Sequence, residues 1–323
     1  MFDFEIGNDN MEDKGQILIK PAGNNLEFHR IKCSKTTYED GLIYLPTSSP
    51  IQGNEANRNI YFADIELYDC QNRAFKIESE SVKVRNCYGH NDPSLIDTEI
   101  PAPQAAHRPD VDIMYVVCLG NNVSSSNLGF QVRAAKQTYR WVYAENIAYA
   151  TVVYNHDAND GLGGDYNINS TSGFQDIILK NTKQAGYFGR KDGTTDVADG
   201  VRFERIKLIE CQGGFQVAEG ATNILFSYVD ASSTKGWGIR DYDGNGTRIE
   251  NCTAMNTFSG AGGLKLDGTG AVVKNTNYSG LSGTISSGSN NSTSADIHVL
   301  NGAGTDLGYS RDLQGNKVPS TPS

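Results

Sequence analysis

Three carboxylates recur at a spacing that acid–base chemistry could use. Glu219, Asp241 and Asp267 each follow a short signal of glycine, a hydrophobe, any residue and usually a second hydrophobe. If copies of that signal stack at the ~4.8 Å of paired strands, Asp241 lies one step from Glu219 and one from Asp267. Carboxyl groups about 5 to 9 Å apart suit glycoside cleavage, one protonating the leaving oxygen while the other activates water or attacks. A lyase or epimerase would instead want a base near the sugar carbon that loses its proton and a cation beside the developing carbanion. Arg190, Lys191, Arg240 and Lys265 are available for that cation. A second group is Tyr154, His156, Asp157, Asp160 and Asp165 in the run VVYNHDANDGLGGDY. The plain alternative there is a solvent-exposed histidine in a turn.

A candidate metal loop overlaps the first group. Asp241, Asp243 and Asn245, with Gly246 behind them, match the first half of an EF-hand calcium loop. Cys252 stands where the bidentate acid belongs, so calcium would need ligands from neighbouring repeats. The alternative is an Asp/Gly turn, and the same holds for Asp192, Asp196 and Asp199.

Short strands are the elements that must position these residues. Of 323 residues, 38% are apolar and 20% charged, with 35 glycines and only 9 prolines. Glycine and asparagine disfavour helices. Sixteen tyrosines and 12 phenylalanines, with many Val and Ile, suffice for a core and exclude a disordered chain.

Two signals alternate along the chain. One is an alternating apolar run closed by Asn and a small or apolar residue: Asn86-Cys87, Asn146-Ile147, Asn181-Thr182, Asn251-Cys252, Asn275-Thr276. The other is the glycine signal: Gly129-Phe-Gln-Val, Gly186-Tyr-Phe-Gly, Gly214-Phe-Gln-Val, Gly236-Trp-Gly-Ile, Gly263-Leu-Lys-Leu. Each repeat then holds two short period-2 strands. Such a unit buries its apolar face only by stacking on its neighbours. The expected fold is all-β, a single-stranded parallel β-helix of about nine or ten coils, with asparagines laddered from coil to coil. An antiparallel sandwich explains the strands but not a repeat marked twice. The six cysteines close similar runs (RIKC, LYDC, VRNC, YVVC, LIEC, IENC), which suggests one repeated interior position held by free thiols. None forms a CxxC pair, which argues against structural zinc.

Aligning the coils on the glycine signal builds an outer stripe. One row holds Arg133, Asp165, Arg190, Ala218, Arg240 and Asp267, and the next Lys191, Glu219 and Asp241. A third holds Gln131, Phe188, Gln216 and Lys265. Charges, amides and an aromatic suit a polysaccharide, which needs hydrogen-bond partners and a flat apolar face. A solvated sheet face with charges paired across strands is the alternative.

The turn asparagine, the interior Cys/Thr/Val positions and the repeat of about two dozen residues resemble the right-handed parallel β-helix of the pectate-lyase-like superfamily. The resemblance spans roughly residues 15 to 280. That superfamily holds polysaccharide lyases, glycoside hydrolases, uronate epimerases, viral tailspike depolymerases and adhesins without chemistry. The resemblance implies a polysaccharide partner and an extracellular or virion-surface setting, with a homotrimer if the chain is tailspike-like. It implies a hydrolase pairing Asp241 with Glu219 or Asp267, with Arg190 and Arg240 positioning the polymer. It also implies a mannuronan-epimerase-like or alginate-lyase-like version, in which Tyr154 and His156 exchange the C5 proton. Asn155 and Asp157 flank the histidine where that family has Asp-Pro-His. A binder without chemistry is the third version.

The β-helix is expected over 1–280, with a proline-rich lateral loop at 88–113 and a last coil and tail at 281–323. No amphipathic helix caps the start. The opening MFDFEIGNDNMED is acidic and carries no visible signal peptide. A formal net charge of −10 weighs against nucleic acid, and no apolar run approaches a membrane span.

Overall fold

The computed structural model describes residues 4–7, 24–34, 42–45, 58–69, 73–77, 80–90, 94–98, 110–120, 128–132, 136–155, 173–190, 199–218, 221–254, 262–289, 291, 309–311 and 317–319. Among the described residues there is no helix. Two large sheets are parallel throughout, one of 14 strands and one of 10. A small antiparallel pair, Tyr309–Arg311 with Lys317–Pro319, forms a third sheet, its first strand near Gly173–Lys180.

From Glu27–Ser34 onward the chain alternates between the long and the short sheet. Each strand therefore pairs with strands one coil earlier and one coil later. Leu225–Ala231 pairs behind with Arg202–Ile209, and ahead with Arg248–Glu250 and Thr253–Ala254. This is the arrangement of a parallel β-solenoid, and it rules out the antiparallel sandwich. In Ile43–Leu45, Phe215–Val217, Ile239–Asp241 and Leu264–Leu266 alternation sends every second side chain inward. Phe215 and Val217 are buried while Gln216 between them is only half-buried.

Left-handed corners bend each pass through the long sheet. Arg30, Asp64, Asn86, Tyr115, Trp141, Asp176, Arg205, Tyr228, Asn251 and Asn275 have φ between 47° and 59°. Each interrupts the pairing at one place: Arg140 opposes Gln175 and Val142 opposes Ile177, with Trp141 and Asp176 at the break. Asn and Asp tolerate this backbone, because their short side chains bond locally.

The expected asparagine ladder exists, but its residues divide between two corners. At this corner Asn275 donates to Asn251 at 3.1 Å, and Asn86 donates to Asp64 at 2.9 Å. Asn146 and Asn181 belong to a later corner, shared with Asp69 and Glu210, where Asn181 donates to Asn146 at 2.7 Å. Both corners put a left-handed residue directly after an apolar segment, so their sequences look alike.

The cysteines likewise occupy three positions rather than one. Cys87 pairs with Ile65 and Val116, and Cys252 follows the Asn251 corner as Cys87 follows Asn86. Cys33 and Cys118 fill a second position, opposite Leu67 and Gly89 respectively. Cys211 follows the Glu210 corner, as Thr182 follows Asn181. All five are buried free thiols, and Cys70 lies outside the described residues.

The core is a column of rings. Tyr139, Phe174 and Phe203 stack at 4.9 and 4.8 Å with planes within 7° of parallel, and Phe226 continues the pile at 5.5 Å. Each fully buried ring contributes about 1.5 to 3 kcal/mol of hydrophobic stabilisation, and only in-register stacking hides it.

The segment 88–113, read as a lateral loop, is in part strand. Ser94–Thr98 pairs Ile96 with Phe75 behind and Phe130 ahead, and Leu95 and Ile96 are buried. Their two apolar side chains anchor the segment in the short sheet despite its prolines. Pro101, Pro103 and Pro109 lie outside the described residues.

Candidate functional site

One register row of the short sheet runs Gln131, Val152, Tyr187, Gln216, Arg240, Lys265, Ser282, each directly opposite the next. Within it Gln216, Arg240 and Lys265 are three half-buried polar side chains on consecutive strands. Tyr242 flanks them, 53% exposed, with the Arg240 guanidinium 4.7 Å from its ring centroid. Asp267, two residues past Lys265 as Tyr242 is two past Arg240, bonds the Lys265 ammonium at 3.0 Å. Gln184 donates to the Gly186 carbonyl at 3.2 Å and lies 3.5 Å from the Gln216 side-chain oxygen. An amide, a guanidinium, an ammonium and a phenol ring thus line one face at strand spacing.

The register differs from the expected one in more than one coil: Gly186 opposes Phe215 rather than Gly214, which puts Phe188 level with Val217 instead of Gln216, and the coil of Gly236 slips as well. Gly236-Trp237-Gly238-Ile239 contains two glycine–hydrophobe matches, and the second is the one in phase. Phe215 opposes Ile239, and the Gly214 amide bonds the Trp237 carbonyl at 2.8 Å. A Cβ on Gly214 would come within 1.8 Å of the Gly238 carbonyl oxygen, which fixes the glycine at that approach. The slip of two residues moves Arg240 out of the row of Ala218 and into that of Gln216 and Lys265.

The same slip sends Asp241 indoors. It opposes Val217 and Leu266, both buried, and its own exposure is 0%. One carboxylate oxygen accepts the Gly244 amide at 2.7 Å. The other, Oδ2, is buried without a hydrogen-bond partner, as is the Thr247 hydroxyl oxygen. Burial pushes the carboxyl above the ordinary aspartate range; the Thr247 hydroxyl and Gly244 amide draw it down, and the charges of Asp243 and Asp267 push it up. Asp241 therefore does not face a polymer on the surface and does not join Asp267 there.

No match to this chain exists among the protein-family models, the curated proteins or the solved structures compared with it. The site is defined by its own geometry.

The calcium half-loop does not converge. Asp241 points inward, Asp243 and Asn245 are exposed, and the Asn245 side-chain oxygen lies 3.3 Å from the Thr269 hydroxyl. Among the described residues no three His, Cys, Asp or Glu side chains gather to hold a metal. Phe188 shares the register row of Val217, and Tyr154 and Asn155 oppose Gly189 and Arg190 at the strand ends. Arg133, His156, Asp165, Lys191 and Glu219 lie outside the described residues.

Two further groups on the long sheet escaped the sequence reading. Lys32, Glu66 and Tyr88 share one outward row, and Tyr68 and His90 share the next but one. Glu66 sits 3.6 Å from the Lys32 ammonium and 3.4 Å from His90 Nε2, and the Tyr68 ring lies flat on His90 at 4.9 Å. The second group is Tyr143, Glu145 and Lys180. The Tyr143 hydroxyl donates to Glu145, and Lys180 lies 3.0 Å from the same carboxylate. Burial alone would raise Glu145, yet the Tyr143 hydroxyl and the Lys180 ammonium hold it below its ordinary range. The signal was available as i, i+2 pairs (Glu66/Tyr68, Tyr88/His90, Tyr143/Glu145), which alternation puts on one face. In both groups the charges are satisfied mutually.

Proposed function

We propose that this chain is a right-handed parallel β-helix of about nine or ten coils, pectate-lyase-like in build, that binds a polysaccharide along its short-sheet face. The observation that carries the reading is the in-register Gln216–Arg240–Lys265 row with Tyr242 beside it. Polar groups at strand spacing match the repeat of hydroxyls along an extended glycan, and the exposed ring offers an apolar face. The step from solenoid to sugar draws on the resemblance, because a fold does not fix a function.

The chemistry assigned to the face is glycan depolymerisation. Its proton-transfer version keeps Tyr154 and Arg190, whose backbones end the strands beside this row, together with His156. The version that binds without cutting is favoured by one observation, the burial of Asp241, which removes a member of the expected carboxylate pair.

A panel of neutral and anionic polysaccharides, read together for binding, new reducing ends and unsaturated uronate, tests all three versions. Binding that weakens in Arg240→Ala supports the site. Reducing ends alone identify a hydrolase, unsaturation a lyase, and binding alone an adhesin. No binding to any member of the panel overturns the reading.

A further inference from the structure

Asp241 is a fully buried carboxylate set between two buried aliphatic side chains of its row. Val217 precedes it and Leu266 follows it. The space around it admits no Cβ: one on Gly244 would lie 2.6 Å from Asp241 Oδ1, and one on Gly268 would lie 2.4 Å from it. Both glycines keep the carboxyl group closely enclosed. Its backbone carbonyl also accepts the amides of Asp267 at 2.8 Å and Gly268 at 3.3 Å, which ties it to the next coil. An ionised carboxylate enclosed this way, with one oxygen unbonded, is costly. A neutral acid is less costly: its O–H can donate to the Thr247 oxygen, and although the Thr247 hydroxyl can instead donate to the ionised form, burial outweighs that and the net shift is upward.

We propose that Asp241 is held as the neutral acid in the folded chain and acts as a pH-sensitive latch on the coils that carry Arg240 and Lys265. Proton loss places a bare charge between Val217 and Leu266 and loosens the coil contacts around Gly244 and Gly268. The charged and titratable groups around Asp241 act in one net direction. Asp243 and Asp267 oppose its ionisation. Lys265 is neutralised by Asp267, and the Arg240 guanidinium lies over Tyr242 on the outer face. Glu219, after Val217 and Ala218, is outside the described residues. The sign follows: the folded state binds the proton more tightly than the unfolded one, so the contribution is full below the unfolded aspartate pKa of about 4 and is lost as pH rises through the elevated folded value.

Native-state hydrogen exchange on the full chain tests this without any ligand, so it stands or falls separately from the polysaccharide reading. The amides of Gly244, Asp267 and Gly268 report local opening, after correction for the intrinsic pH dependence of exchange. Within the titration window their opening constant should rise by up to about tenfold per pH unit, while amides of the early coils, such as Ile65 and Val116, do not follow. Asp241→Asn, which donates where the acid would, should flatten the rise. A flat wild-type profile overturns the proposal, and so does an unchanged slope in Asp241→Asn. Should that variant fail to fold, a carbon-13 carboxyl titration of the wild type decides. A midpoint above the ordinary aspartate range supports the latch, and a midpoint within or below that range overturns it.

Discussion

Arg205 reaches from one left-handed corner to Asp176 at the corner of the preceding coil, Nε to Oδ1 at 2.9 Å. The corner column that bonds through amides at Asn86 and Asn275 and stacks rings at Tyr115 and Trp141 is closed here by an ion pair, with Asp176 buried. The corners are thus held side chain to side chain along the stack, as well as strand to strand, and that makes their cost measurable.

Asn251→Ala should destabilise more than Asn251→Gly. Alanine meets the left-handed backbone penalty of about 1 to 2 kcal/mol and also loses the bond from Asn275, worth about 1 kcal/mol. Glycine loses only the second. Urea melts of the two variants give the separation, and equal midpoints would mean that the corner is not strained.

Acid should weaken the middle of the long sheet. Burial would raise the Asp112 carboxyl, but the hydrogen bonds of Thr138 and Arg85 and the charges of Arg85 and Arg140 outweigh it and hold it low. A lowered folded value contributes stability that is full above the unfolded pKa of about 4 and fades as pH falls through the folded one. Asp112 and Arg85 are 24% and 19% exposed and 2.7 Å apart, so Asp112→Asn should cost about 1 to 3 kcal/mol at pH 7. The gap to wild type should narrow at pH 3, and a gap independent of pH would remove the ion pair from the account.

Alkylation should spare five of the six cysteines in the folded chain. Burial pushes the Cys33 and Cys252 thiols up to about 12 and raises Cys211 as well. Thiolate is the reactive form. Peptide mapping after iodoacetamide should find Cys33, Cys87, Cys118, Cys211 and Cys252 unmodified until urea is added. Fast labelling of Cys252 without denaturant would contradict the packing.

On the short-sheet face, Arg240→Ala and Lys265→Ala should each weaken binding of a recognised polysaccharide by about tenfold, or 1.4 kcal/mol. Arg248→Ala, on the long sheet, should not. Titration calorimetry with the best panel member measures this, and equal losses in all three variants would detach the site from the row.

The strands, their parallel stacking and the asparagine corners were legible in the sequence, because period-2 runs ended by Asn at regular intervals have few other folds. Phase was harder to read. Gly236-Trp237-Gly238-Ile239 offers two matches to one signal, and only the approach of Gly214 to Gly238 chooses between them. That choice put Arg240 in the row with Gln216 and Lys265, and took Asp241 out of the surface. The Glu66–His90 and Tyr143–Lys180 groups depend on which coil lies next to which. Spacing along the chain does not show that until the register is known.

Because the backbone hydrogen bonds of both sheets run along the stack while the strands run across it, the molecule is mechanically a laminate. Tension applied between its ends reaches those bonds one coil at a time, as in peeling. A load from the side would press on Tyr139, Phe174, Phe203 and Phe226 together. Such a body yields by unwinding from a tip and resists being flattened.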